Sequence, residues 1–311
     1  MTWRGLPRTG GRLTPAGPMK SHEPIHFAAG LEEVATRYDV ILCDVWGVIH
    51  NGIEASQPAY QALMRFREAG GCVILITNAP RPNSAVVGQL DRLAVPRSAY
   101  DAVITSGDLT RRIIAERKGE AVLHIGPERD KPIFAGLEVR FAGVDEAGYV
   151  VCSGLYDDTR ETAKDYAPTL ERLRARRLWM LCANPDLVVE RGNQLIPCAG
   201  SIAQAYEELG GEVFYAGKPH RPIYEAALAA AAKLAGRERI EPSRVLALGD
   251  AIRTDIAGAA KFGLPSLLVA RGIHACELKL HENELASGHV QDWLGRQSAR
   301  PDIVMDRLVW S

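Results

Sequence analysis

Five side chains, widely spaced in the chain, could together handle a phosphoryl group and a divalent cation. They are Asp44 in "DVILCDVWGVIHNG", Thr77 in "LITNAP", Lys218 in "YAGKPH", and Asp250 and Asp255 in "GDAIRTD". A carboxylate such as Asp44 can attack phosphorus and form an aspartyl phosphate. Asp250 and Asp255 offer hard oxygen ligands of the kind Mg2+ takes in ones and twos. Lys218 is a point charge able to neutralise the nucleophile and the charge that develops on the phosphoryl group. The Thr77 hydroxyl, the adjacent Asn78, and the backbone amides of Val45 and Trp46 suit phosphate oxygens. Each group alone has a plainer reading: a turn former, a helix cap, or a lysine before a proline that opens a helix.

What joins them is the pattern of elements. From residue 31 onward, apolar runs alternate with segments of helical period, which predicts a parallel sheet flanked by helices. Strands are expected at "DVILCDV", "GCVILITN", "AYDAVITSG", "GGEVFYAGK", "RVLALGD" and "PSLLVARG", with helices near 57–69, 83–93, 108–117, 221–235 and 254–262. The runs are continuously apolar rather than alternating, as in strands covered on both faces. Each candidate group falls at or just past a strand end, where the edge of such a sheet gathers residues distant in sequence. Between residues 109 and 196 the pattern changes to short strands ("AVLHIG", "LEVRFA", "YVVCSG", "LWMLCANPD") and one helix near 162–175, which reads as a smaller α/β unit inserted into the first. The fold expected is therefore an α/β, doubly wound parallel core over 26–108 and 197–311, with an inserted domain at 109–196.

Composition narrows the class. Hydrophobic residues make up 47% of the 311 and charged ones 24%, with a net charge of -1. That balance supplies no electrostatic case for nucleic acid or an anionic membrane, and the apolar runs are too short for a transmembrane span. Six single cysteines without a C-x-x-C pair argue against a disulfide framework or a zinc site and for a reducing cytoplasm. Cys43, Cys72, Cys152 and Cys182 lie in strand-like runs, as small buried hydrophobes do. Residues 1–25, rich in Gly, Pro and Arg with no apolar h-region, read as a disordered tail or as sequence preceding a start at Met19.

"DVWGVIHNG", "LITNAP", "YAGKPHRPIYEAAL" and "LALGDAIRTDIAGAAKFGLPSLLV" resemble, in order, the four motifs of the haloacid dehalogenase superfamily. "CANPD", "PCAGSIAQAYEELGG" and the long insert before Lys218 resemble its class IIA branch of capped phosphatases, over roughly residues 36–275. The resemblance implies a Rossmann-like core with Asp44 as nucleophile, Thr77 and Asn78 at the phosphate, and Lys218 as the motif lysine. It implies Mg2+ held by Asp44, Asp250, Asp255 and the backbone carbonyl of Trp46. The insert would then be a cap that closes over a small phosphorylated metabolite, with homodimers formed through it in some relatives. "CANPD" and "SGLYDDT" are candidate specificity loops, with Asn184 and Asp186 the residues singled out; Asp157 and Asp158 fit plain turn chemistry better.

Trp46 departs from the pattern. The superfamily motif reads Asp-x-Asp-Gly, and its second Asp protonates the leaving group and later activates water. An indole N–H is a donor only and cannot be a general base. A positioned acid–base group is worth about 10² to 10⁴ in rate, whereas phosphoryl transfer rests mainly on positioning and electrostatics. The expectation is a slowed or specialised phosphatase that favours good leaving groups, with His50, His220 and His274 as candidate replacements for the missing group. The competing expectation is a phosphotransferase, or a phosphometabolite-binding or regulatory protein without turnover; a nucleophile beside lysine and metal ligands weighs against the latter.

Overall fold

The computed structural model describes residues 24–191, 194–278, 285 and 287–310. The tail expected at 1–25 lies almost wholly outside the described residues. In chain order the first strands are β1 (His26–Phe27), β2 (Val40–Cys43), β3 (Cys72–Thr77) and β4 (Ala102–Thr105). They are followed by β5 (Ala121–Ile125), β6 (Arg140–Phe141), β7 (Tyr149–Cys152), β8 (Trp179–Cys182), β9 (Val188–Arg191), β10 (Gln194–Pro197) and β11 (Glu212–Tyr215). The last are β12 (Val245–Gly249), β13 (Ser266–Val269) and β14 (Ile303–Met305).

β2, β3, β4, β12 and β13 belong to one seven-stranded sheet in the order β1-β14-β13-β12-β2-β3-β4, with every pair parallel. β2 is completely buried because both faces are covered. Ile41 and Cys43 point with Val73 and Leu75 toward the helices Gln57–Glu68 and Asn83–Arg92, through Leu63, Phe66, Val86 and Leu90. Val40 and Leu42 point the other way, with Ile74 and Ile76, toward the helix Arg221–Leu234 through Ile223, Tyr224 and Ala227. This is the doubly wound core that the continuous apolar runs imply.

A second, five-stranded sheet in the order β11-β8-β7-β5-β6 is also all-parallel. One face buries Tyr166, Leu170 and Leu173 with Ile202 and Tyr206 of the helix Ala199–Glu208. The other joins the core cluster through Val122, Tyr149, Val151 and Leu181, so the two units share an apolar contact. β9 and β10 pair as an antiparallel ladder, and Val188, Val189 and Leu195 from them line the main cavity.

The inserted unit is longer than expected. "GEVFY" was expected to return the chain to the core, but β11 pairs with β8, register Glu212 to Trp179 through Tyr215 to Cys182. With the helix Ala199–Glu208 packed beneath it, the segment assigned to the core from 197 belongs to the smaller unit as far as Tyr215. An apolar run specifies a strand but not the sheet it joins, because pairing is decided by tertiary neighbours. β1 and β14, at one edge of the large sheet, were not anticipated, and "LEVRFA" shortens to two residues. Among the described residues no helix is long and apolar enough to cross a membrane.

Leu75 is fully buried in β3 between β2 and β4. Leu75→Ala is expected to cost about 2–5 kcal/mol, read as a lower urea midpoint with an unchanged slope.

Candidate active site

Asp44, Thr77 and Asp250 emerge from β2, β3 and β12, the three neighbouring strands at the middle of the large sheet. Asp255 follows in the turn Ile252–Ile256, and Lys218 lies between β11 and the helix Arg221–Leu234. All five are buried. Lys218 Nζ donates to Asp44 Oδ1 at 2.5 Å and to Asp255 Oδ1 at 2.7 Å. Asp44, Asp250 and Asp255 each bring a carboxylate oxygen within 4.8 Å of the others.

The glycine after Trp46 makes this approach possible. Gly47 has φ of +80°, and a Cβ there would sit 1.9 Å from Asp250 Oδ2, so a side chain is excluded on both counts. Backbone amides hold the outer carboxylates: Ile273 N–H donates to Asp250 Oδ2 at 2.8 Å and Ala251 N–H to Asp255 Oδ2 at 3.1 Å. Asn78 ties the parts together. Its Oδ1 accepts from Lys218 N–H at 2.7 Å, and its Nδ2 donates to Lys218 O and to Asp186 Oδ1. The Thr77 hydroxyl oxygen accepts from Ala79 N–H at 3.2 Å.

Electrostatics follow from crowding. Burial, together with the neighbouring Asp255, pushes Asp44 up to about 7 against the opposing pull of Lys218 and the Val45 amide. Burial and the charges of Asp44 and Asp255 hold Asp250 well above the usual carboxylate range. Burial alone disfavours the Lys218 charge, but Asp255 and Asp44 outweigh it and the ammonium is held well above its ordinary value. Three carboxylates share one ammonium, an excess of negative charge that a hard cation would relieve. The donor set therefore fits a divalent cation such as Mg2+.

The site opens into a cavity of about 530 Å³ whose lining includes Asp44, Trp46, Asp186 and Lys218, with Gln204, Glu207 and Tyr215 from the smaller unit. Sequence reading missed those last three and Arg253, also at the wall. They lie on helices or strands whose pattern reports only burial, so no local signal marks them. A smaller cavity of about 140 Å³ lies beside the first, and Trp46, Thr77, Asp186 and Val189 line both. Trp46 is thus part of the wall between them. Its ring meets His50 edge-on, with centroids 5.0 Å apart, and Gly52 (φ +90°) lies so close that a Cβ would come within 2.6 Å of the indole.

Of the three candidate histidines, His220 and His274 line the main cavity and His50 does not. His50 lines the smaller cavity; its Nδ1 accepts from Gly52 N–H at 3.0 Å, and burial lowers it to about 4. His220 lies flat on Tyr215 with centroids 4.4 Å apart, and burial lowers it also to about 4. His274 uses Nε2 to accept from Ile252 N–H at 3.2 Å, and burial lowers its pKa. At His50 and His274 the ring nitrogen already accepting from the backbone cannot also receive a proton from substrate water. Asn184 faces away from the main cavity: its Oδ1 accepts from Asp186 N–H at 3.1 Å in a turn. Asp157 keeps its turn role, accepting from Thr159, whereas Asp158 is buried between Arg129 and Arg191. All six cysteines are free, and Cys43, Cys152 and Cys182 are buried.

The fold and site define a capped α/β hydrolase built for metal-assisted chemistry at a carboxylate. Residues 41–140 match the family model of haloacid dehalogenase-like hydrolases, and residues 215–310 match a second model of HAD-hydrolase-like proteins. A solved haloacid dehalogenase-like hydrolase from Brucella suis 1330 is 46% identical, covers 91% of this chain and 100% of its own, and superposes with a TM-score of 0.80. A D-glycerol 3-phosphate phosphatase from Mycobacterium tuberculosis is 28% identical over 79% of this chain and 66% of its own length. A glycerol phosphate phosphatase structure from that organism in complex with magnesium is 26% identical, with 87% and 76% covered and a TM-score of 0.60. The chain belongs to the haloacid dehalogenase-like hydrolases.

The shift at Asp44 has a measurable sign. Burial raises its carboxyl to about 7 in the folded metal-free protein, while the unfolded chain ionises near the ordinary carboxylate value of 3.8. The folded state therefore binds the extra proton between these values, and stability contributed at this position falls as pH rises through the window. Asp44→Asn removes the cost. In EDTA, its stability relative to wild type is expected to grow from pH 4 to pH 7 and then level off, measured by urea unfolding.

Proposed function

We propose that this chain is a Mg2+-dependent phosphatase that hydrolyses a small phosphorylated metabolite through an aspartyl phosphate on Asp44. The observation that carries the reading is the Asp44 carboxylate held by Lys218 within reach of Asp250 and Asp255, at the floor of a metabolite-sized cavity. Asp44, Asp250 and Asp255, with the Trp46 backbone carbonyl, would hold Mg2+, which supplies positive charge against the phosphoryl oxygens. Asp44 Oδ attacks phosphorus as the ester P–O bond breaks. Lys218 opposes the effect of burial on Asp44, drawing the carboxyl toward its anionic form, and offsets charge on the transferring group. Thr77 and the amides following Asp44 orient phosphate oxygens, and water then hydrolyses the acyl phosphate to regenerate Asp44. The smaller α/β unit acts as a cap supplying the distal wall of the cavity, where Gln204, Glu207 and Tyr215 meet the organic part of the substrate. The magnesium complex of the related glycerol phosphate phosphatase supports the metal assignment.

Turnover of 4-nitrophenyl phosphate with Mg2+ is the expected result, abolished by EDTA and by Asp44→Asn. Lys218→Ala should lower kcat by about 10²–10³, as loss of a transition-state charge does. Activity that survives EDTA or Asp44→Asn would falsify this mechanism.

A further inference from the structure

The main cavity has Trp46 rather than a carboxylate at position 46, and of its two histidines His220 stacks on Tyr215 while His274 accepts from the Ile252 amide. Glu207 and Glu277, also on its wall, are exposed and accept from Tyr215 Oη at 2.6 Å and from Trp293 Nε1 at 3.1 Å. We propose that Asp186, carried by the cap, exchanges the proton that the usual second motif aspartate would exchange. This inference rests on the phosphatase reading and assigns one step of it.

Four observations support the placement. Asp186 lines the main cavity together with Asp44 and Lys218, and it stands with Trp46 in the wall shared with the smaller cavity. It is joined to the nucleophile by contiguous contacts: Asp186 Oδ1 to Asn78 Nδ2 at 2.9 Å, Asn78 Oδ1 to Lys218 N at 2.7 Å, and Lys218 Nζ to Asp44. Its backbone is pinned, since its N–H donates to Asn184 Oδ1 and its C=O accepts from Gly200 N–H at 3.1 Å. Gly200 packs so closely that a Cβ there would lie 2.4 Å from Asp186 O. With one carboxylate oxygen held by Asn78, Oδ2 has no hydrogen-bond partner among the described residues.

The surroundings suit proton exchange near neutrality. Burial pushes the Asp186 carboxyl up to about 6, with Lys218 and the Asn78 hydrogen bond opposing and Asp255 assisting. The groups that face it are Lys218 and Asp255 from the core, Asn78 after β3, and the Cys182 and Cys198 thiols of the cap. In the first step Asp44 Oδ bonds to phosphorus, the P–O bond to the leaving group breaks, and the Asp186 proton passes to the departing oxygen. In the second, the Asp186 carboxylate takes a proton from water as the water oxygen bonds to phosphorus and the Asp44–phosphorus bond breaks. Protons balance over the cycle, and each Asp returns to its starting state. Because Asp186 rides on the cap, the proton donor is complete only when cap and core are together.

The test is Asp186→Asn. Asparagine keeps an oxygen to accept from Asn78 but cannot exchange a proton, so it separates a tie between cap and core from catalysis. With saturating Mg2+, kcat/KM is measured for alkyl phosphates and for aryl phosphates of graded leaving-group acidity, and aspartyl-phosphate breakdown is followed in single turnover. The proposal expects a loss of about 10²–10⁴ on alkyl phosphates and a much smaller loss of phosphoryl transfer from 4-nitrophenyl phosphate. It further expects steeper leaving-group dependence, slower breakdown of the phosphoenzyme, a lost pH limb, an unchanged thermal midpoint and partial rescue by Asp186→Glu. An equal loss for every leaving group, or an unchanged slope and pH profile, overturns it while leaving the phosphatase reading intact. Absence of any Mg2+- and Asp44-dependent turnover in the wild type overturns both.

Discussion

The buried ammonium of Lys218 is the interaction on which the site depends. It lies between Asp44 and Asp255, which leave the large sheet from different strands and would otherwise repel each other in a medium that screens charge poorly. Without it, three carboxylates would face one another with no protein cation among them. With it, the cluster still carries surplus negative charge, which is what makes it a receptor for a divalent cation rather than a closed salt bridge. The same lysine reaches the cap through Asn78 and Asp186, so charge neutralisation and domain contact share one residue.

Trp46 shows how a local change can leave such a frame intact. Gly47 supplies the turn beside Asp250 whatever residue 46 is, and Gly52 leaves the space that the Trp46 indole takes up. Replacing a carboxylate by an indole removes one proton-exchanging group and fills the wall between two cavities. It does not disturb the lysine, the carboxylate cluster or the strand end that presents Asp44. In the proposed mechanism phosphoryl transfer and proton transfer are thus separable, because they use different parts of the site.

The histidines illustrate where residue-type reasoning stops. An imidazole has the right intrinsic pKa for acid–base work, and three lie near strand ends. Packing commits each of them: His50 to the Gly52 amide, His220 to the Tyr215 ring, His274 to the Ile252 amide. Burial then lowers their basicity further. Asp186 has the opposite history. Its "NPD" context reads as a turn, and its neighbour Asn184 does serve that turn, yet the turn carries the aspartate to the wall of the main cavity.

The amino-acid sequence by itself determined the parallel core, because strands buried on both faces must be continuously apolar. It also determined the candidate site inventory, because an aspartate, a lysine and paired aspartates at successive strand ends have few other joint uses. It marked the Asp44 loop as unusual, since Trp46 stands where a carboxylate normally does. Tertiary structure alone decided that β11 belongs to the cap, since strand pairing is a choice among neighbours that an apolar run does not encode. It likewise decided which ionisable side chains face the cavity. Exposure, hydrogen-bond commitment and the charges nearby are properties of the assembled site, and they set apart Asp186 from three histidines that residue type alone would have preferred.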